Sequence, residues 1–203
     1  MPVLKPNWTG LPDVARLLSL MAKGASIYKA DIQIADMDRN YYANHSLTLA
    51  CHPSETEERM MVRLLAFVLY AHDSLEFGRG ISTQDEPDLW QKDLTGAIDL
   101  WIEVGTREER DLRRACGKAR QVVVIGYGGR GVNIWWSQNS EALTQLKNLT
   151  VINVPLPATQ GLASLANRTM ELQCNVQDGQ ISVIAESEMI QIEPVVLFAP
   201  GQD

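Results

Sequence analysis

Two carboxylates interrupt the most strand-like stretch of the chain, Gly96-Ala97-Ile98-Asp99-Leu100-Trp101-Ile102-Glu103-Val104-Gly105. Its β-branched and aromatic content reads as a strand buried on at least one face. An acid without a partner in that setting is costly. Asp99 and Glu103 therefore either reach solvent or an arginine, or they hold a divalent metal ion. Glu58 is a third candidate, because helical spacing from it leads to Met61, Leu65 and Val68, an inward stripe. The plainer reading of Glu58 is a first-turn acid in solvent. Arg110, Arg114 and Lys118 recur at i, i+4 and i+8, either as a phosphate-facing stripe or, with Glu108, Glu109 and Asp111, as a solvated charged face. Tyr127-Gly128-Gly129-Arg130-Gly131 is a flexible loop carrying one aromatic and one cation. It lacks the register and the following Lys-Ser/Thr of a phosphate-cradling loop.

The elements that must position these residues follow from patterning. Residues 26–35 alternate apolar and polar and read as a strand, and 36–40 as a turn. A second strand over 41–50 completes a hairpin. Ser54 with Glu57 has the spacing of a capping box, which starts a helix running to about His72 and accounts for Glu57, while Glu55 suits the helix dipole. Residues 75–80 form a short strand and turn. Pro87 makes 85–90 a turn or an edge segment, anchored by Trp90. Thr106 with Glu109 is a second capping box, opening a helix over 106–119. Gln121-Val122-Val123-Val124-Ile125 is the unbroken β-branched run of a strand covered on both faces, typically a parallel one. After the 127–131 loop, residues 132–136 resume the fold. A helix over 140–147, a strand over 148–154 and a short helix over 160–166 follow. Asp178-Gly179 joins strands 169–176 and 180–184 in a hairpin, and 191–198 adds a third strand. This order specifies an α/β (α+β) fold: a central mixed sheet flanked by helices, with a satellite antiparallel sheet from the N- and C-terminal hairpins.

With 203 residues, 45% of them hydrophobic, the chain suffices for one domain with a sizeable core. Residues 1–20, rich in helix breakers beyond a short helix within 13–22, read as a poorly ordered extension to a single domain over 21–203. No apolar run is long enough to span a bilayer. Cys51, Cys116 and Cys174 are odd in number and far apart, which favours unpaired thiols in a reducing cytoplasm and excludes a disulfide framework. His45, His52 and His72 have no cysteine partners for structural zinc. The net charge of −7 argues against coating nucleic acid through the overall field, though not against a local basic groove.

Several segments together resemble the YaeQ family of small bacterial proteins: Ile27-Tyr28-Lys29-Ala30, His52-Pro53-Ser54-Glu55-Thr56 with Glu58-Arg59-Met60, Glu86-Pro87-Asp88-Leu89-Trp90, residues 99–105, and Tyr127 and Arg130 with Ile134-Trp135-Trp136. The resemblance implies a restriction-endonuclease-like sheet related to the PD-(D/E)XK nucleases. In that superfamily a helix Glu and two strand acids hold Mg²⁺, and a Lys orients the attacking water. Mg²⁺ takes hard oxygen ligands and stabilises charge developing on a phosphodiester. Carried over, Glu58 is the helix acid, and Asp99 and Glu103 are the strand acids of the metal site. Asp88, in Pro87-Asp88, competes with Asp99. The position of the Lys is Gly105, so a substitute must come from Lys118, Arg59 or Gln121.

Spacing qualifies that carry-over. Four residues of strand span about 13 Å, too far for Asp99 and Glu103 to share an ion without a bulge. Either the strand is shortened, or Asp88 pairs with Glu103, or no intact site exists. Two functions follow: Mg²⁺-dependent phosphodiester hydrolysis, or a catalytically inactive nucleic-acid-binding or regulatory module. In the second, Arg59, Tyr127, Arg130 and Trp135 contact the partner by stacking and phosphate pairing, although core packing is the plainer reading of Trp135. No Ser or Cys nucleophile arrangement supports a metal-independent enzyme built on His52 or His72.

Overall fold

The computed structural model describes residues 24–79, 86–186 and 188–201. The expected N-terminal extension and its short helix lie outside the described residues. In chain order the elements are β1 (Ser26–Asp36), β2 (Tyr41–Cys51), α1 (Glu57–Leu69), β3 (Leu75–Phe77), β4 (Leu89–Lys92), β5 (Ile98–Val104) and α2 (Glu109–Lys118). There follow β6 (Ala119–Gly126), α3 (Arg130–Leu143), β7 (Leu149–Asn153), α4 (Leu156–Ser164), β8 (Thr169–Gln177), β9 (Gln180–Ala185), β10 (Glu188–Ile192) and β11 (Val195–Phe198). They form a mixed α/β architecture with one sheet in the order β10-β9-β8-β1-β2 and another in the order β11-β7-β6-β5-β4-β3.

Two hydrophobic cores define the layers. The larger gathers the inner faces of both sheets around α1 and α4, with Ile32, Leu49, Met61, Phe67, Ile102, Val123, Leu162 and Leu172 among its members. The smaller lies on the other face of the second sheet, where Leu112 and Ala115 of α2 and Leu143 of α3 cover Trp101, Val122, Val124 and Val151. The molecule is thus sheet, helices, sheet, helices. Every residue of α1 from Met60 to Val68 is buried, because the helix has a sheet on each side. Alternate residues of β6 enter the two cores, as its continuous apolar run requires, and β6 pairs in parallel with both β5 and β7.

The terminal hairpins stand as expected, and they join through a parallel β1–β8 pair with Ile32 opposite Leu172. Asp178 (φ 52°) and Gly179 (φ 73°) make the left-handed turn of the second hairpin. The Asp38 carboxylate accepts from both of their N–H groups at 2.8 Å, which clips one hairpin tip to the other.

Local signals misplace several element ends. Thr56, not Ser54, caps α1, accepting from Arg59 N–H, while the Ser54 hydroxyl is taken by the His52 ring at 2.7 Å. Glu57 is no capping residue: its carboxylate accepts the Tyr28 hydroxyl at 2.6 Å. α2 begins at Glu109 without a side-chain cap, because residues 105–108 are a connection rather than a first helical turn. The helix expected over 140–147 instead runs from Arg130 to Leu143, taking in the end of the expected 127–131 loop and all of 132–136. Gly128 and Gly129, both at positive φ, end the loop immediately before it. Gly126 admits the helix, since a Cβ there would lie 2.8 Å from the Val132 side chain. α4 starts four residues early, with Pro157 in the first turn, where a missing N–H costs nothing. Pro194 divides the expected 191–198 strand: β10 pairs with β9, whereas β11 crosses to β7 in the other sheet.

Candidate functional site

The site is built where β4 begins and β5 ends. These strands are antiparallel, so Asp88, just before β4, meets Val104 at the end of β5. Asp88 is fixed twice: its N–H donates to the Ile102 carbonyl at 3.0 Å, and its Oδ2 accepts from Val104 N–H at 2.7 Å. Strand alternation puts Glu103 and Trp101 on the face of β5 opposite Ile102 and Val104. The Trp101 indole N–H donates to Glu103 Oε1 at 2.9 Å. The start of α1 brings Glu55, Glu58, Arg59 and Arg63 to the same region.

These groups form a continuous chain of charge. Arg63, with its side chain 3% exposed, donates through Nε and Nη2 to both oxygens of Glu55 and through Nη2 to the Ala50 carbonyl. Arg59 links Glu55 to Asp88: Nη1 reaches Glu55 at 2.9 Å and Nη2 reaches Asp88 Oδ1 at 2.7 Å. Arg59 Nη2 also donates to the Val104 carbonyl at 3.3 Å. Arg107, 37% exposed, pairs through Nε with Glu103 at 2.7 Å and approaches Asp88 at 3.7 Å. Three buried or half-buried guanidiniums thus neutralise three carboxylates. Burial opposes the charge on Arg59, but Asp88 and Glu55 outweigh it and hold the group above its ordinary pKa. At Glu103 burial wins: desolvation raises the carboxyl against the pull of Arg107, and Asp88 adds to the rise.

The sequence candidates divide accordingly. Asp88, Glu103 and Arg59 come together. Asp99 does not join them; it lies toward the far end of β5, 3.0 Å from Arg120. Asp88 is therefore the acid beside Glu103. Glu58 accepts the Thr159 hydroxyl at 2.6 Å, tying α1 to α4. Tyr127 packs over Gly105, and its ring would be 3.6 Å from a Cβ there. Burial raises the Tyr127 pKa, with Arg59 opposing and Glu58, Glu55 and Asp88 adding to the rise, which places the phenol beside the network. Arg130 is exposed on the first turn of α3. Trp135 donates its indole N–H to the Arg107 carbonyl at 2.8 Å and packs on the smaller core, so its ring serves packing and loop anchoring. Lys118 is at the end of α2, its ammonium 5.7 Å from the Trp101 ring centre.

Arg63, Arg107 and Thr159 escaped the sequence reading, and Glu55, expected to serve the helix dipole, is instead the buried partner of Arg59 and Arg63. Arg63 carried a usable signal: a lone cation inside an apolar helix, at i+4 from Arg59 and i+8 from Glu55, needs a buried partner. Arg107 stands at i+4 from Glu103 but outside any helix, so spacing alone said little.

The oxygens present are hard donors of the kind Mg²⁺ prefers. Their arrangement does not fit the ion. Asp88 Oδ1 and the Val104 carbonyl converge on one guanidinium nitrogen of Arg59, and Glu103 holds Arg107. Among the described residues no three His, Cys, Asp or Glu side chains are grouped to hold a metal. Nucleophilic alternatives fare no better. Burial pushes the Cys116 thiol up to about 11 and the Cys174 thiol up to about 12, while His52 is half-buried, His72 is exposed, and each bonds a serine two residues on.

Comparison with known proteins places the chain. A family profile described as "YaeQ protein" matches residues 21–194. "Uncharacterized protein YaeQ" of Escherichia coli (strain K12) is 43% identical over 172 residues, 85% of this chain and 95% of that protein. Its Salmonella typhi counterpart is 46% identical over 161 residues, 79% of this chain and 89% of that protein. The crystal structure of YaeQ protein from Xanthomonas axonopodis pv. citri superposes with a TM-score of 0.85 at 50% identity, covering 87% of this chain and 99% of that one. The YaeQ protein of Pseudomonas syringae gives 0.83 at 32% identity, covering 87% and 98%. The chain belongs to the YaeQ family.

Proposed function

We propose that this chain is a nucleic-acid-binding module of nuclease-like architecture that engages the phosphodiester backbone without hydrolysing it. One observation carries the reading: the Arg59 guanidinium sits on Asp88, an acid that a nuclease-like site would give to its metal, and on the Val104 carbonyl beside it. Gly105, at φ +92°, stands where such a site has its lysine. A buried guanidinium held by three acceptors is a permanent cation, and it makes a divalent ion superfluous for stability.

The binding surface is the edge at the C-terminal ends of β5, β6 and β7, where ligands of open α/β sheets dock. Arg107, Arg130 and Tyr127 stand there, beside the N-terminus of α3, whose N-cap Gly129 supplies no side-chain cap. Its first-turn backbone N–H groups and positive dipole end favour phosphate. Cys51, Cys116 and Cys174, all unpaired, support a cytoplasmic setting. No helix among the described residues is long and apolar enough to cross a membrane.

A second reading is favoured by the exposure of Arg107. If it swings away, Asp88 and Glu103 are left as hard oxygens for Mg²⁺, and the family resemblance then points to phosphodiester hydrolysis. One experiment separates the two. Fluorescent single-stranded DNA and RNA are titrated with protein in EDTA, then incubated with Mg²⁺ or Mn²⁺. The binding reading expects metal-independent association in the roughly 10⁻⁴–10⁻⁶ M range, weakened by salt and by Arg130→Glu, and intact oligonucleotide throughout. Metal-dependent cleavage lost in Glu103→Ala would install the second reading. Neither binding nor cleavage would remove both.

A further inference from the structure

We propose that Trp90 is the base-stacking platform of this surface, and that Lys92 is the cation a bound single strand displaces from the indole face. The inference rests on the nucleic-acid reading above and names where the bases go.

Trp90 on β4 stands directly opposite Trp101 on β5, their rings edge to face at 6.4 Å. Strand alternation sets Asp88 and Trp90 on one face, beside Glu103 and Trp101 of the neighbouring strand. Trp90 therefore lies two residues, about 7 Å, along β4 from Asp88. A strand whose phosphate meets Arg107 reaches it with the adjoining nucleotide. The two indoles are treated differently. Trp101 is buried and its N–H is bound by Glu103. Trp90 is part-exposed, and its N–H has no acceptor. The Lys92 ammonium lies 3.4 Å from the Trp90 ring centre, against the face of the indole.

Those observations have one economical occupant. A part-exposed indole covered by an ammonium is a π-surface whose cover is a mobile, strongly hydrated side chain. A nucleobase stacks on an indole more strongly than an exposed ammonium does, and the displaced lysine then meets the phosphate beside that base. Lys92 and Lys118 flank the two indoles, while Glu76 stands opposite Trp90 on β3 and Glu103 holds the Trp101 N–H, so stacking rather than local charge must supply the preference for a nucleic acid. The Trp135–Trp136 pair is the weaker platform, because Trp136 already stacks on Phe198 at 6.5 Å and both rings pack on the smaller core.

The test uses the full chain, oligo(dT) and an abasic strand of the same length, with affinities read by anisotropy in EDTA. The proposal expects the abasic strand to bind roughly 5- to 150-fold more weakly than oligo(dT). Trp90→Ala should abolish that difference, Trp90→Phe should retain most of it, and Lys92→Ala should lower the salt slope by about one. Equal affinity of the wild type for both strands overturns the platform, whatever the Trp90 variants do, and leaves backbone contact without base stacking. An abasic penalty untouched by both Trp90→Ala and Trp90→Phe places stacking elsewhere and also overturns it. Failure of the wild type to bind either strand removes the functional reading and the platform together.

Discussion

Two sets of three arginines in this molecule each pair with two glutamates and one aspartate, and they have opposite fates. Arg59, Arg63 and Arg107 meet Glu55, Asp88 and Glu103 where α1 begins and β5 ends. Arg110, Arg113 and Arg114 meet Glu108, Glu109 and Asp111 on the outer surface of α2. The first set is buried or half-buried and fixed by several acceptors each. Every arginine of the second is at least half exposed. Exposed pairs trade one set of water contacts for another and contribute little. Buried ones have given up water, so each member depends on the others. Solvent access, not ion-pair chemistry, decides which network organises the fold.

The contrast can be broken most forcefully at Glu55. Glu55→Ala leaves Arg63 buried beside only the Ala50 carbonyl and should cost about 3–5 kcal/mol, read from urea unfolding. A loss below 1 kcal/mol would mean that Arg63 finds water. Asp88→Asn keeps the shape but weakens the charge-assisted bond to Arg59, and a smaller loss of about 2 kcal/mol is expected by the same measurement.

Glu103 sharpens the comparison through pH. Its folded-state pKa lies above the unfolded value because burial outweighs Arg107. Its contribution to stability is then fully present below the ordinary carboxylate range and is lost as pH rises through the raised value. The stability of wild type relative to Glu103→Gln, followed by thermal melts from pH 3.5 to 7, should therefore fall as pH rises. A rise would show that the Arg107 pair dominates desolvation. The smallest effect belongs to the surface set: Arg113→Ala should shift stability by no more than about 0.5 kcal/mol.

The same divide explains what could be read from sequence. The β6 run, the β1 alternation and the Asp178-Gly179 turn carry their structural meaning within a few residues, and each appears as expected. The charged stripe of α2 was equally local. The caps were misplaced because Ser54 and Thr56 both suit the role, and only the His52 ring, which takes the Ser54 hydroxyl, separates them. At the candidate site the identities Asp88, Glu103 and Glu58 were legible, but their partners were not. Arg59 meets Asp88 across 29 residues of sequence, and Glu58 meets Thr159 across 101. No spacing rule spans such intervals. The distance along an ideal strand did discriminate: it made Asp99 an unsuitable companion for Glu103, and Asp99 pairs instead with Arg120.

The central claim is that guanidinium groups occupy the cation position between Asp88, Val104 and Glu103. Calorimetric titration of the purified chain with Mg²⁺ and Mn²⁺ at neutral pH tests it most directly. The account predicts no saturable heat beyond dilution. A stoichiometric, saturable binding isotherm that disappears in Glu103→Ala would contradict it.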